Sequence, residues 1–132
     1  MTDTKTEIPP CGVFAPQRRL KPFIYSDAQI ADLVNAMLVL HPGSFRGVIY
    51  HYFFGLLAAT GMRFSEAARL QREDVDMDVG ALTIRETKFG KSRRIPLHLT
   101  TRSALRKFSS GRDQAPLSRD SRFFFTGSAG DR

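Results

Sequence analysis

The chain has 132 residues, room for one compact domain and little for a second. Hydrophobic residues make up 42% and aromatic residues 11%, enough for a packed core, so general disorder is excluded. Twenty Lys and Arg against thirteen Asp and Glu leave a formal charge of +7, which favours a polyanionic partner. Cys11 is the single cysteine, so an intrachain disulfide and a cysteine-rich zinc site are both excluded. His41, His51 and His98 lack metal-ligand spacing, and the sequence implies neither a metal nor a cofactor. The longest apolar stretch, residues 48–59, is interrupted by His51 and is too short to cross a bilayer. The first ten residues lack the basic and apolar regions of a secretory signal. The expected location is the cytoplasm, with no membrane partner.

Residues 1–22 have no hydrophobic periodicity, and Pro9, Pro10, Pro16 and Pro22 exclude a regular helix, so an extended arm or linker is expected there. Ser26 followed by Gln29 forms a capping box, with Asp27 in the first turn. Ile30, Leu33, Val34, Met37 and Leu38 recur at helical spacing behind it and predict one buried face. His41-Pro42-Gly43 ends that helix, with His41 as a cap residue. A second helix is predicted from about Ser44 to Thr60. Its broad stripe of Phe45, Val48, Ile49, Tyr52, Phe53, Leu56 and Leu57 marks it as central, and makes Tyr50 and Tyr52 packing residues. Gly61 stops it, and a short third helix is expected from about Phe64 to Leu70.

The period then changes to two. Residues 81–87 and 93–97 alternate around a Phe89-Gly90 turn, which predicts a β-hairpin whose second strand is confined to an edge by Pro96. A fourth helix near Thr100 carries Leu105 and Phe108, and Phe123-Phe124-Phe125 is expected to be a short buried strand. The fold class is α+β, mainly helical: helices packed with a small antiparallel hairpin or sheet.

Two motifs carry the functional reading. Thr60-Gly61-Met62-Arg63-Phe64-Ser65-Glu66-Ala67, followed by Leu70 and Glu73-Asp74-Val75-Asp76, resembles the segment around the first catalytic arginine of tyrosine recombinases, the phage integrase family. That family shows T-G-(L/M)-R-x-S-E, then a leucine and a D-(I/V)-D segment. Thr87-Lys88-Phe89-Gly90-Lys91-Ser92-Arg93-Arg94-Ile95-Pro96-Leu97 is similar to the family hairpin T-K-x-x-K-x-R-x-(I/V)-P-L. Two motifs in the family's order, about 25 residues apart, are far more specific than either alone. The resemblance runs from Ser26 to Phe125, so residues 23–132 are expected to form part of an integrase-type catalytic domain.

A glycine that ends a core helix turns the chain sharply and presents the next side chains at a corner. Arg63 there can offer its planar fork to two phosphate oxygens, as phosphoryl transfer requires. The competing structural reading is a surface arginine paired with Glu66 one turn later. The resemblance implies that Arg63 is the catalytic arginine and that Lys88 protonates the leaving 5′ oxygen, with Lys91 the rival candidate for that role. It makes Glu66 a supporting group that orients the site. Arg85, Lys91, Arg93 and Arg94 flank the hairpin and are expected to contact DNA phosphates, with Arg102, Arg106 and Lys107 adding charge on the next helix. The implied partners are double-stranded DNA and other recombinase protomers.

The family reaction is a transesterification through a phosphotyrosine. Tyr25, Tyr50 and Tyr52 all precede Arg63, whereas the family nucleophile comes late, and no histidine is followed by arginine three residues on. The expectation is a truncated, DNA-binding front half that is not competent alone. A non-enzymatic regulatory remnant that competes or pairs with a full recombinase is the alternative, and a helix-turn-helix regulator a third reading. A domain missing its final helices exposes the apolar surface they cover, so the isolated 132-residue chain should self-associate. Light scattering that shows oligomers rising with concentration is expected; a monodisperse monomer with a sharp, cooperative melt would contradict it.

Overall fold

A computed structural model describes residues 20–85, 89–116 and 120–126. The first helix, α1 (Asp27–Leu40), starts at the predicted capping box: Ser26 Oγ accepts from the Gln29 N–H, and Gln29 Oε1 accepts from the Ser26 N–H. The second, α2 (Phe45–Thr60), is capped by Ser44 and ends at Gly61, whose φ of +66° closes a bond from its N–H to the Leu57 carbonyl. Its Gly47 is buried against α1. A Cβ there would lie 2.9 Å from the Met37 carbonyl oxygen, so the two helices approach as closely as they do only over a glycine. The His51 Nδ1–H donates to the Val34 carbonyl at 2.9 Å and ties the same pair.

A five-residue helix, α3 (Phe64–Ala68), follows at once, then a single 3-10 turn at Arg72–Asp74. The sheet has three antiparallel strands, β1 (Val75–Asp76), β2 (Ala81–Ile84) and β3 (Arg93–Pro96), in that order, with Leu82 facing Val75 on one side and Ile95 on the other. The hairpin expectation holds for β2 and β3, though β2 ends at Ile84 and residues 86–88 of the expected first strand and turn lie outside the described residues; Pro96 does lie on an edge strand. Strand β1 was not foreseen, because two residues cannot display a period of two. The last helix, α4 (Leu99–Gln114), starts one residue before the expected Thr100, with His98 Nδ1 accepting from the Thr100 N–H. A five-residue third helix that feeds a sheet removes the helix-turn-helix reading.

Two expectations need correction. Phe123-Phe124-Phe125 does not form a strand: only Phe123 makes a β-bridge, to Gln71, while Phe124 and Phe125 turn into the core. The apolar face of α1 is only partly covered, with Leu33 and Leu38 exposed and no residue of the helix fully buried. The reason is that α1 packs chiefly against α2, and one neighbour covers only part of a helical stripe.

The core is an aromatic cluster centred on Phe108 of α4. Its ring meets Phe45 and Tyr52 of α2 and Phe124 and Phe125 of the C-terminal segment, at centroid distances of 5.2 to 6.3 Å. Arg112, one turn on, is buried. Its guanidinium lies 4.9 Å from the Phe124 ring centroid, donates to the Phe124 carbonyl at 3.0 Å and pairs with Asp113. Burial pulls the Arg112 pKa below the ordinary guanidinium range, and the Asp113 hydrogen bond opposes that shift. The segment it pins runs beside the residues that follow α3: the Arg72 N–H donates to the Arg122 carbonyl, and the Phe124 N–H to the Leu70 carbonyl. Helix α4 also braces the β1–β2 turn. Arg102 donates to the Asp78 carbonyl and Arg106 to the Met77 carbonyl, so both arginines are engaged in structure. Within that turn Asp76 Oδ1 accepts the N–H groups of Val79 and Asp78, which hold its carboxyl below the usual range.

Truncating Phe108 removes the ring that α2, α4 and the C-terminal segment share. Phe108→Ala is expected to cost about 3–5 kcal/mol, read from the shift of the urea midpoint, and a loss under about 1 kcal/mol would refute this description of the core.

Candidate nucleic-acid interface

Helix α3 is seated by its apolar side. Met62, Ala67 and Leu70 are buried, and Phe64 stacks edge-on against Phe53 of α2 at 5.1 Å. With that side fixed, Arg63, Ser65, Glu66 and Arg69 line a cleft of about 490 Å³ whose opposite wall is Gln71, Asp74 and the end of β2, Thr83 to Arg85. The cleft therefore lies between the helical layer and the sheet, with Arg63 at the corner that Gly61 creates.

Glu66 is the hub of the helical wall. Its side chain is almost fully buried, and Oε2 accepts both the Arg63 N–H at 2.8 Å and Arg93 Nη2 of β3 at 2.8 Å. One carboxylate thus caps the start of α3 and anchors the edge strand to it. Its other oxygen, Oε1, is buried and accepts no hydrogen bond among the described residues, so the group keeps acceptor capacity. The competing reading, a pairing of the Arg63 side chain with Glu66, does not hold: the carboxylate takes the Arg63 backbone and the Arg93 side chain. Among the described residues no carboxylate pairs with the Arg63 guanidinium, which is exposed.

Asp74 is the hub of the other wall. It is buried, Oδ2 accepts the Gln71 N–H at 2.9 Å, and Oδ1 lies 2.6 Å from Arg85 Nε. Arg85 also reaches Glu73 at 2.8 Å. Asp74 first, then Glu73, raise the Arg85 pKa above its ordinary value. Arg85 was expected to be a phosphate contact; here its guanidinium joins the end of β2 to the 3-10 turn, and a phosphate would have to compete with two carboxylates for it.

The remaining expected residues divide. Arg93 is half exposed but held by Glu66, while Arg94 is exposed opposite Thr83 on the outer face of the sheet. Lys91 is exposed beyond the Phe89-Gly90 turn, where Gly90 has a φ of +68°. Lys88 lies outside the described residues. The residue that sequence reasoning passed over is Arg69, which closes α3 and lines the same cleft as Arg63. Its sequence signal is weak: it stands six residues after Arg63 across one short helix and belongs to no recurring pattern. Among the described residues no group of His, Cys, Asp and Glu has an arrangement suited to a metal ion, and no helix is long and apolar enough to cross a membrane.

Exchanging Asp74 separates its two tasks. Asp74→Asn keeps an acceptor for the Gln71 N–H and loses the charge that holds Arg85; Asp74→Ala loses both. The alanine variant should lose about 1–3 kcal/mol and the asparagine variant clearly less, by urea denaturation. Equal losses would show that the backbone bond carries none of the effect.

Comparison with known proteins gives a consistent result. The phage integrase family model matches residues 26–131. Two proteins of Sinorhizobium fredii, "Putative integrase/recombinase y4rE" and "Putative integrase/recombinase y4rB", are 39% and 40% identical to this chain, each over 98% of it. The chain spans 43% of the length of each of these relatives. Among solved structures, the XerA recombinase superposes with a TM-score of 0.63 at 21% identity, over 95% of this chain and 42% of that one. The Tn1549 transposon integrase, solved in complex with transposon right end DNA, gives 0.61 at 19% identity, over 85% and 40%. At such identities the two structures establish the fold alone, helices packed with a small antiparallel sheet.

Proposed function

The chain belongs to the phage integrase family, and on that premise we propose that it is the DNA-engaging front half of a site-specific recombinase catalytic domain. The observation that supports this most directly is the cleft itself: a guanidinium without a carboxylate partner among the described residues, Arg63, at a corner beside a buried carboxylate that fixes its backbone. In this reading Arg63 forks two non-bridging oxygens of the scissile phosphate and neutralises charge that grows in the transition state. Lys88 delivers the proton to the leaving 5′ oxygen. Glu66 holds Arg63 and β3 in register and touches no reacting atom. Arg94 and Lys91 contribute electrostatic attraction to the duplex.

The DNA partner rests on the same chemistry and on the +7 charge. Phosphodiester transesterification through a tyrosine needs a nucleophile that can reach the phosphate held by Arg63. Tyr50 and Tyr52 lie within α2 and pack against Phe54 and Phe108, and Tyr25 packs against Phe23 ahead of α1. None of the three lines the cleft. These 132 residues alone are therefore proposed to bind DNA and not to break it.

The expected outcome is binding to duplex DNA at low salt, with log affinity falling linearly as log salt concentration rises, followed by fluorescence anisotropy. Arg63→Ala should lower the slope by about 0.9, one phosphate contact. Incubation with a nicked recombination-site oligonucleotide should leave no denaturation-resistant protein–DNA adduct. Absence of binding at low salt would overturn the DNA reading, and an adduct would overturn the claim that the chain is not competent alone.

A further inference from the structure

The charges around the cleft do not cancel locally; they sort. Glu66 is committed to Arg93 and to the Arg63 backbone, and Asp74 to Arg85 and the Gln71 backbone, while Glu73 also pairs with Arg85. That arrangement uses the carboxylates of both walls on the hairpin arginines. Two guanidinium groups that line the cleft have no carboxylate partner among the described residues, Arg63 at the start of α3 and Arg69 at its end. Both line one cleft, and their backbone positions are fixed by the buried Met62, Ala67 and Leu70.

We propose that Arg69 is a second phosphate anchor, which binds the phosphodiester next to the one held by Arg63 on the same DNA strand. Six residues of helix rise separate the two backbone positions by about 9 Å. Both side chains are long enough to shorten or lengthen that gap to the spacing of neighbouring phosphates. Arginine suits the task because its fork stays charged and meets two oxygens of one phosphate at once. A polyanion with two closely spaced charges answers both groups together, whereas a monoanion answers one. Arg69 thereby sets the register of the strand, so that the phosphate presented to Arg63 is fixed by its neighbour. The proposal rests on the DNA-binding reading and adds a residue and a geometry to it.

The test compares wild type, Arg69→Gln, Arg69→Lys and Arg63→Ala in anisotropy titrations of a labelled duplex across a salt series. Thermal melts confirm that the exposed substitutions leave the fold intact. Arg69→Gln should weaken binding about three- to tenfold at low salt and reduce the magnitude of the salt slope by about 0.9, with Arg69→Lys restoring the slope. In the double variant the two slope losses should add. A duplex carrying one uncharged methylphosphonate in place of each phosphate in turn supplies the geometric arm. One position should weaken wild type and leave Arg69→Gln unaffected, and it should adjoin the position that behaves the same way for Arg63→Ala. Wild-type binding with an unchanged slope in Arg69→Gln, or sensitive positions that are not adjacent, would overturn this inference and leave the DNA reading standing. No wild-type binding at low salt would overturn both.

Discussion

The packing of Phe108 and Arg112 against Phe124 is the constraint on which the site depends. Helix α4 has nothing to offer the cleft directly. It fixes the C-terminal segment, and that segment forms backbone bonds to Leu70 and Arg72, the residues that carry the chain from α3 to the 3-10 turn. Arg69 lies just before this anchored stretch and Asp74 just after it. A five-residue helix has too few internal hydrogen bonds to hold its own orientation, so α3 takes its direction from its surroundings: Phe53 at one end and the pinned segment at the other.

The second organising feature is electrostatic. Asp113 shows it in small form. Burial works to raise its carboxyl pKa, but the Arg112 hydrogen bond and the charges of Arg112 and Arg72 outweigh that and leave it lowered. Nearer the cleft, Glu66 and Asp74 each pair one backbone N–H and one arginine of the hairpin. A carboxylate that accepts both a local amide and a distant guanidinium joins two pieces of structure that the core does not reach. It also removes that guanidinium from the pool available to a ligand. Charge on this protein thus serves two ends, and burial of the partner decides which.

That division explains how much could be read from the sequence. Caps, helix limits and the central stripe of α2 were legible because each is written in local spacing: Ser26 with Gln29, Gly61, and the apolar repeat from Phe45 to Leu57. Arg63 at a corner beside Glu66 was legible for the same reason, since four consecutive residues hold it. Three things were not. Strand β1 is shorter than any period. The exposure of Leu33 and Leu38 depends on which neighbours cover α1, which a helical stripe does not encode. The assignment of Arg85 to Asp74 and Arg93 to Glu66 depends on contacts across 11 and 27 residues of sequence, so those arginines read as a basic patch when they are in fact half neutralised. Arg69 was overlooked by the converse error, because a lone arginine at a helix end carries no pattern.

The count of twenty Lys and Arg consequently overstates the unpaired cations a phosphate backbone would meet, whereas the net charge of +7 already subtracts their carboxylate partners. Arg72, Arg85, Arg93, Arg106 and Arg112 each have a carboxylate within 4 Å, and Arg102 binds a backbone carbonyl. Counterion release scales with the phosphates neutralised by cations that are not already paired. A cleft in which the walls hold their own arginines and leave Arg63 and Arg69 outward makes few such contacts, and each is placed by buried structure. On the proposed DNA reading, a strand that fits both guanidinium groups would be held in one register, and any other by one contact fewer.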